Sequence, residues 1–105
     1  MPVLSLLIGV PYNLYNDDAF PMTYVSMPAR RVQLTLQSSF ATAPSGVDVD
    51  LEGSNDAVDF FPIDDANFTA TAGEIITINT GAKFIRINGS VTGGTVPSFL
   101  VVAKA

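Results

Sequence analysis

Apolar and polar residues alternate along most of this chain. Val32, Leu34 and Leu36 are separated by Gln33 and Thr35, and Val47, Val49 and Leu51 by Asp48 and Asp50. Ile76 and Ile78 flank Thr77, and Ile85 and Ile87 flank Arg86. A period of two puts one row of side chains on a core and the other in solvent, so each run predicts a half-buried β-strand. Phe99 to Ala103 is apolar throughout and predicts a strand covered on both faces. Val3 to Ile8 predicts one more. No window carries a 3.6-residue apolar period, so no helix is expected.

Turn chemistry separates the runs. Ala43-Pro44-Ser45-Gly46 follows the Val32 strand, and Gly53-Ser54-Asn55-Asp56 follows the acidic one. Asn79-Thr80-Gly81-Ala82 and Thr92-Gly93-Gly94-Thr95 read as hairpin connections between consecutive strands. Seven or eight short strands with regular turn spacing predict one all-β domain over residues 1–105. The expected architecture is a single antiparallel β-sandwich, jelly-roll-like or Ig-like. Residues 11–29 break the pattern, with three of the seven prolines and the rings of Tyr12, Tyr15, Phe20 and Tyr24. They predict a long aromatic loop that closes one end of the sandwich and offers an ordered contact surface.

Composition sharpens this picture. The chain has 105 residues, of which 48% are hydrophobic and 14% charged; ordinary soluble domains carry roughly 25% charge. A domain this small has a high surface-to-volume ratio and needs more polar cover, not less. No run approaches the roughly 20 apolar residues of a membrane-spanning helix, so no membrane partner is expected. The remaining outlet for the apolar excess is burial against other protein chains. The net charge of −5 and the single adjacent basic pair, Arg30-Arg31, argue against a nucleic-acid partner.

Candidate chemistry is sparse. The chain has no His, Cys or Trp, which excludes histidine general bases, Cys-His dyads, disulfides and Cys/His zinc sites. Asp48, Asp50 and Glu52 share one side of one strand, but side chains two apart on a strand are roughly 7 Å apart, too far to share an ion unaided. They read as a solvated acidic face. No spacing selects a carboxylate pair for acid–base work. The expectation is a protein that is not an enzyme and needs no cofactor or metal.

Two stretches resemble a known group. Leu51-Glu52-Gly53-Ser54-Asn55-Asp56 followed by Phe60-Phe61-Pro62-Ile63 resembles a strand–turn–aromatic strand module of small virion proteins of tailed bacteriophages. Ala82-Lys83-Phe84-Ile85-Arg86-Ile87-Asn88, Val91-Thr92-Gly93-Gly94-Thr95 and Phe99-Leu100-Val101-Val102-Ala103-Lys104 are similar to the ending of the same group. The resemblance spans residues 47–105. It departs at Ala57, where a glycine is usual, and at the Phe60-Phe61 pair, where one aromatic is common; no ligand site is carried across.

The resemblance implies a capsid decoration (cement) protein on the phage particle surface, made in the host cytoplasm. Its partners would be the major capsid protein and copies of itself, a trimer being favoured. The contact set expected on this reading is Val3, Leu4, Leu6, Leu7 and Ile8 of the N-terminal strand, and Tyr12, Tyr15, Phe20, Met22 and Tyr24 of the loop. Arg30 and Arg31 would pair with acidic groups of the partner. The alternatives are a carbohydrate-binding module of a tail or spike, using Tyr12, Tyr15 and Asp17, or a head–tail connector component.

Overall fold

A computed structural model describes residues 6–15, 24–28 and 31–104. In these segments eight strands form: β1 (Tyr12–Asn13), β2 (Val25–Ser26), β3 (Val32–Ser39), β4 (Gly46–Ser54), β5 (Phe61–Phe68), β6 (Glu74–Thr80), β7 (Phe84–Thr92) and β8 (Ser98–Lys104). They make two four-stranded sheets, in the orders β1-β8-β3-β6 and β2-β7-β4-β5, with every pairing of strands antiparallel. The molecule is an all-β sandwich, and no helix occurs among the described residues.

The pairings are nested. β4 pairs with β5, β3 with β6, β2 with β7 and β1 with β8. One long hairpin is thus rolled up, and the β3–β8 and β4–β7 ladders close it into two sheets. This is jelly-roll topology and not the Ig order, in which strands A, B, E and D share one sheet and C, F and G the other.

Alternation does its expected work in the core. Val32, Leu34 and Leu36 of β3 face Val47, Val49 and Leu51 of β4 across the interior, joined by Ile85 and Ile87, Phe68, and Phe99, Val101 and Ala103. Phe99 ties the two sheets together. Its ring meets that of Phe68 edge-on at 5.3 Å and that of Phe40 at 6.2 Å, with Tyr15 at 6.3 Å. Its backbone N–H donates to Asn13 Oδ1, and its carbonyl accepts from Leu14 N–H. Gly89 is needed where β7 crosses β4: at φ +149° a Cβ there would lie 2.0 Å from the carbonyl oxygen of Asp48.

Several sequence expectations are corrected. The Asn79–Ala82 and Thr92–Thr95 turns are not hairpins, because β6, β7 and β8 lie alternately in the two sheets. Turn residues permit a reversal without fixing whether the chain re-enters the same sheet. Residues 11–29 supply two edge strands, β1 and β2, so they are not wholly loop; residues 16–23 and 29–30 lie outside the described set. Val3 and Leu4 also lie outside it. Leu6 to Ile8 form no strand: Leu6 N–H donates to Ser26 of the second sheet, while Ile8 makes one parallel bridge to Ala103 of the first. A segment that crosses between sheets cannot ladder with either. On β8, Leu100 and Val102 are only half-covered on the outer face.

Phe99→Ala is expected to cost about 3–5 kcal/mol, the range for removing a fully buried aromatic ring. Urea unfolding followed by tyrosine fluorescence checks this.

Candidate interaction surfaces

The two outer faces of the sandwich differ in charge. Every carboxylate among the described residues except Glu74 lies on β4, β5 or the loop between them. Glu74 stands on the inward row of β6, opposite the buried Ser38, and its Oε1 accepts the N–H groups of Thr69 and Ala70. Among the described residues, the outer face of β1-β8-β3-β6 therefore carries no acid. Registered across it are Leu100, Gln37 and Ile75 in one row, and Val102, Thr35 and Thr77 in the next. The Lys104–Gln33–Asn79 row below supplies the one charge of these three strands on that face.

Beside this neutral face runs an apolar margin. Leu7 is 62% exposed, and Ile8 and Val10 are also exposed. The chain passes along β8 here, fixed by Gly9 N–H donating to the Ala103 carbonyl. Of the expected contact residues, Leu7 and Ile8 are on this margin. Leu6 is buried in the chain's own core, and Tyr12 and Tyr15 are half-buried against it. Tyr24 packs between Phe60, at 5.7 Å, and Phe84, edge-on at 5.3 Å. Arg31 is exposed. Val3, Leu4, Phe20, Met22 and Arg30 lie outside the described residues.

The opposite face is acidic, but not uniformly solvated as expected. Asn67 Nδ2 donates to Asp48 Oδ1 at 3.1 Å and to Asp50 Oδ1 at 2.9 Å, which ties the two carboxylates to β5. Glu52 is buried at 8% exposure. Its Oε1 accepts from Arg86 Nε at 2.8 Å, and Asn88 Nδ2 donates to Oε2 at 3.4 Å. The Arg86 guanidinium lies over the Phe60 ring, 4.2 Å from its centre. A neighbouring cation and an aromatic cover make burial of this carboxylate tolerable. Among the described residues, no group of three or more acidic side chains is placed to hold a metal ion.

A shallow concavity of about 540 Å³ opens at the β4–β5 turn, lined by Asn55, Asp56, Asp59 and Phe61 with Gly81 and Ala82 of the β6–β7 connection. Its loop is internally braced. Asp56 Oδ1 accepts from Ser54 Oγ and from the N–H groups of Val58 and Asp59, while Ser54 Oγ accepts from Asp56 and Ala57 N–H. These bonds to the charged form, led by the Asp59 and Val58 N–H groups, hold the Asp56 carboxyl down at about 2. Ala57 adopts φ +62°, so the backbone keeps a glycine-like conformation without the glycine.

Sequence reading missed Val58, Phe61, Ile75 and Val96, all large, apolar and exposed. For Phe61 and Ile75 the signal was present. Each adjoins another large apolar residue, Phe60 or Ile76, and neighbours on a strand point to opposite faces. No protein-family model matches the chain, nor does any curated protein or solved structure.

Two outcomes follow from the turn. Ala57→Gly is expected to stabilise by about 0.5–1 kcal/mol, the relief of a left-handed Ala offset by added backbone freedom; denaturant midpoints measure it. The Asp56 carboxyl titrates lower in the folded state than its ordinary 3.8. Its contribution is therefore complete above that pH and fades as pH falls towards about 2. Asp56→Asn should flatten the loss of melting temperature across this window.

Proposed function

We propose that the protein is a non-enzymatic structural part of a virion, a decoration protein that stabilises a phage head by packing over capsomer junctions. The observation that carries this reading is the contrast between the two outer faces. One sheet collects the carboxylates, while the other presents Gln, Thr, Leu, Val and Ile beside the exposed Leu7, Ile8 and Val10. Charge depletion with apolar residues at the centre is how surfaces that bury against protein differ from the rest of a surface. The neutral sheet would lie on the major capsid protein and the acidic sheet would face solvent. The apolar margin would meet neighbouring copies of the chain, a ring of three on the resemblance. A usual contact of roughly 800 Å² per partner is within reach of such a sheet, and repetition over a lattice multiplies weak contacts. The action is mechanical: buried area at the junctions raises the barrier to their separation.

The jelly-roll topology is shared by viral capsid and lectin domains, and a fold does not specify a function. The concavity at the β4–β5 turn favours a second reading, a glycan-binding module. Phe61, at 68% exposure, would be the stacking platform, and Asn55, Asp56 and Asp59 the hydrogen-bonding rim.

Quantitative mass spectrometry of the particle encoded by the same genome separates these readings. A copy number matching the shell lattice supports decoration; a ring-sized number at the tail, or absence from the particle, overturns it. On isolated shells, Val102→Asp is expected to weaken binding roughly tenfold or more, while Asp48→Asn leaves it unchanged. For the second reading, glycan-array binding lost in Phe61→Ala is the corresponding readout.

A further inference from the structure

A four-stranded sheet has two edges, and this sandwich has four. Three are blunted. β1 and β2 are two residues long. β5 slips register against β4 between Asp50 and Glu52 and carries Pro62, Asp64 and Asp65. Among the described residues, β6 has none of these devices and no strand pairs with its outer edge. It keeps unbroken register with β3 from Val32↔Thr80 to Ser38↔Glu74, and it contains no proline or lysine. Its one carboxylate, Glu74, is turned back onto the Thr69 and Ala70 N–H groups. Ile75 stands beside the edge at 64% exposure. An unblocked edge presents a row of unpaired N–H and C=O groups, a template for another strand.

We propose that this edge joins two copies of the chain, β6 pairing antiparallel with β6 of a second copy about a two-fold axis at Thr77. The strand complements itself. In antiparallel pairing, opposed residues share a face. Centring on Thr77, the middle residue of β6, lets all seven residues overlap. The core-facing Ile76 then sits opposite the partner's Ile78, Ile75 opposite the partner's Asn79, and Glu74 opposite the partner's Thr80. No like charges face each other within the ladder. The two-fold is perpendicular to the sheet, so both neutral outer faces stay on one side and become a single eight-stranded surface. β6 and β1 are opposite edges of the same sheet, so this contact leaves the Leu7–Val10 margin open to other copies. Asp64 and Asp65 border Thr77 and Asn79 in a concavity of about 490 Å³. Each copy therefore brings two carboxylates near the axis, and added salt strengthens the association by screening them. The pairing is a property of the purified chain and stands apart from the decoration reading.

The chain has no cysteine, so one substitution gives a unique thiol. At the axis, the two Thr77 Cα atoms would be about 4.5–5.5 Å apart, within disulfide reach of about 4.4–6.8 Å. Thr77→Cys is expected to form a disulfide-linked dimer on mild oxidation. Ile75→Cys and Asn79→Cys, displaced from their own copies by about 13 Å, stay unlinked. Sedimentation of the cysteine-free chain should show a monomer–dimer equilibrium that shifts to dimer with salt. Thr77→Glu should weaken it about tenfold or more, because the added carboxylate meets its own copy and the nearby Asp64 and Asp65; circular dichroism checks that the variant remains folded. Three results overturn the proposal: a wild-type monomer at all concentrations, equal cross-linking at residues 75, 77 and 79, or a dimer that Thr77→Glu leaves intact.

Discussion

The fold depends on two inner faces burying one another, and Phe99 is where that burial concentrates. Its ring sits against Phe68 of the opposite sheet, with Phe40 and Tyr15 closing around it. In a chain of this length, buried interior is scarce, and a ring that serves both sheets contributes more than a side chain that lines only one. The polar grip on its backbone from Asn13 and Leu14 draws the short β1 edge onto β8. A two-residue strand would not hold its place by ladder bonds alone. The aromatic centre therefore secures the weakest part of the sandwich as well as the strongest.

Much of the architecture was legible in the alternation. The apolar positions of β3, β4 and β7 face the core where a period of two puts them, because that signal needs only the local chain. Connections were less legible. Gly81 and the Gly93-Gly94 pair mark where the chain can turn, but a corner between sheets and a hairpin within one use the same residues. Glu52 shows a second limit. Its place in the row with Asp48 and Asp50 predicts solvent, but Arg86 of β7 arrives laterally to pair with it, itself lying over the ring of Phe60 from the β4–β5 loop. Exposure of the residues expected to make contacts was partly legible. Leu7 and Ile8 are exposed as an apolar margin, whereas Leu6 turns inward to a core that sequence alone cannot locate. The neutral sheet face was invisible in the sequence, since Thr35, Ile75 and Val102 become neighbours only through the β3–β6 and β3–β8 registers.

Polarity between the two sheets links composition to use. A low charged fraction does not by itself say where charge is missing. Here the missing charge is gathered on one sheet, while the other holds its carboxylates in place with Asn67 and Arg86. Organised in this way, the low charged fraction gives the sandwich one neutral and one acidic outer face.

The nested pairing of strands also sets the entropic cost of closing each ladder. β4–β5 is the one pairing that needs only a short loop to close. Once it exists, β3 and β6 are brought near each other, and then β2 and β7, and then β1 and β8. Each closure confines a short stretch, since the earlier ones have already drawn its ends together, so its entropic cost is set by the connecting corners and not by the full separation along the chain. Assembly by zipping from the centre outward is the inexpensive route to a topology whose native pairs are mostly remote. On this route β1 and β8 pair last.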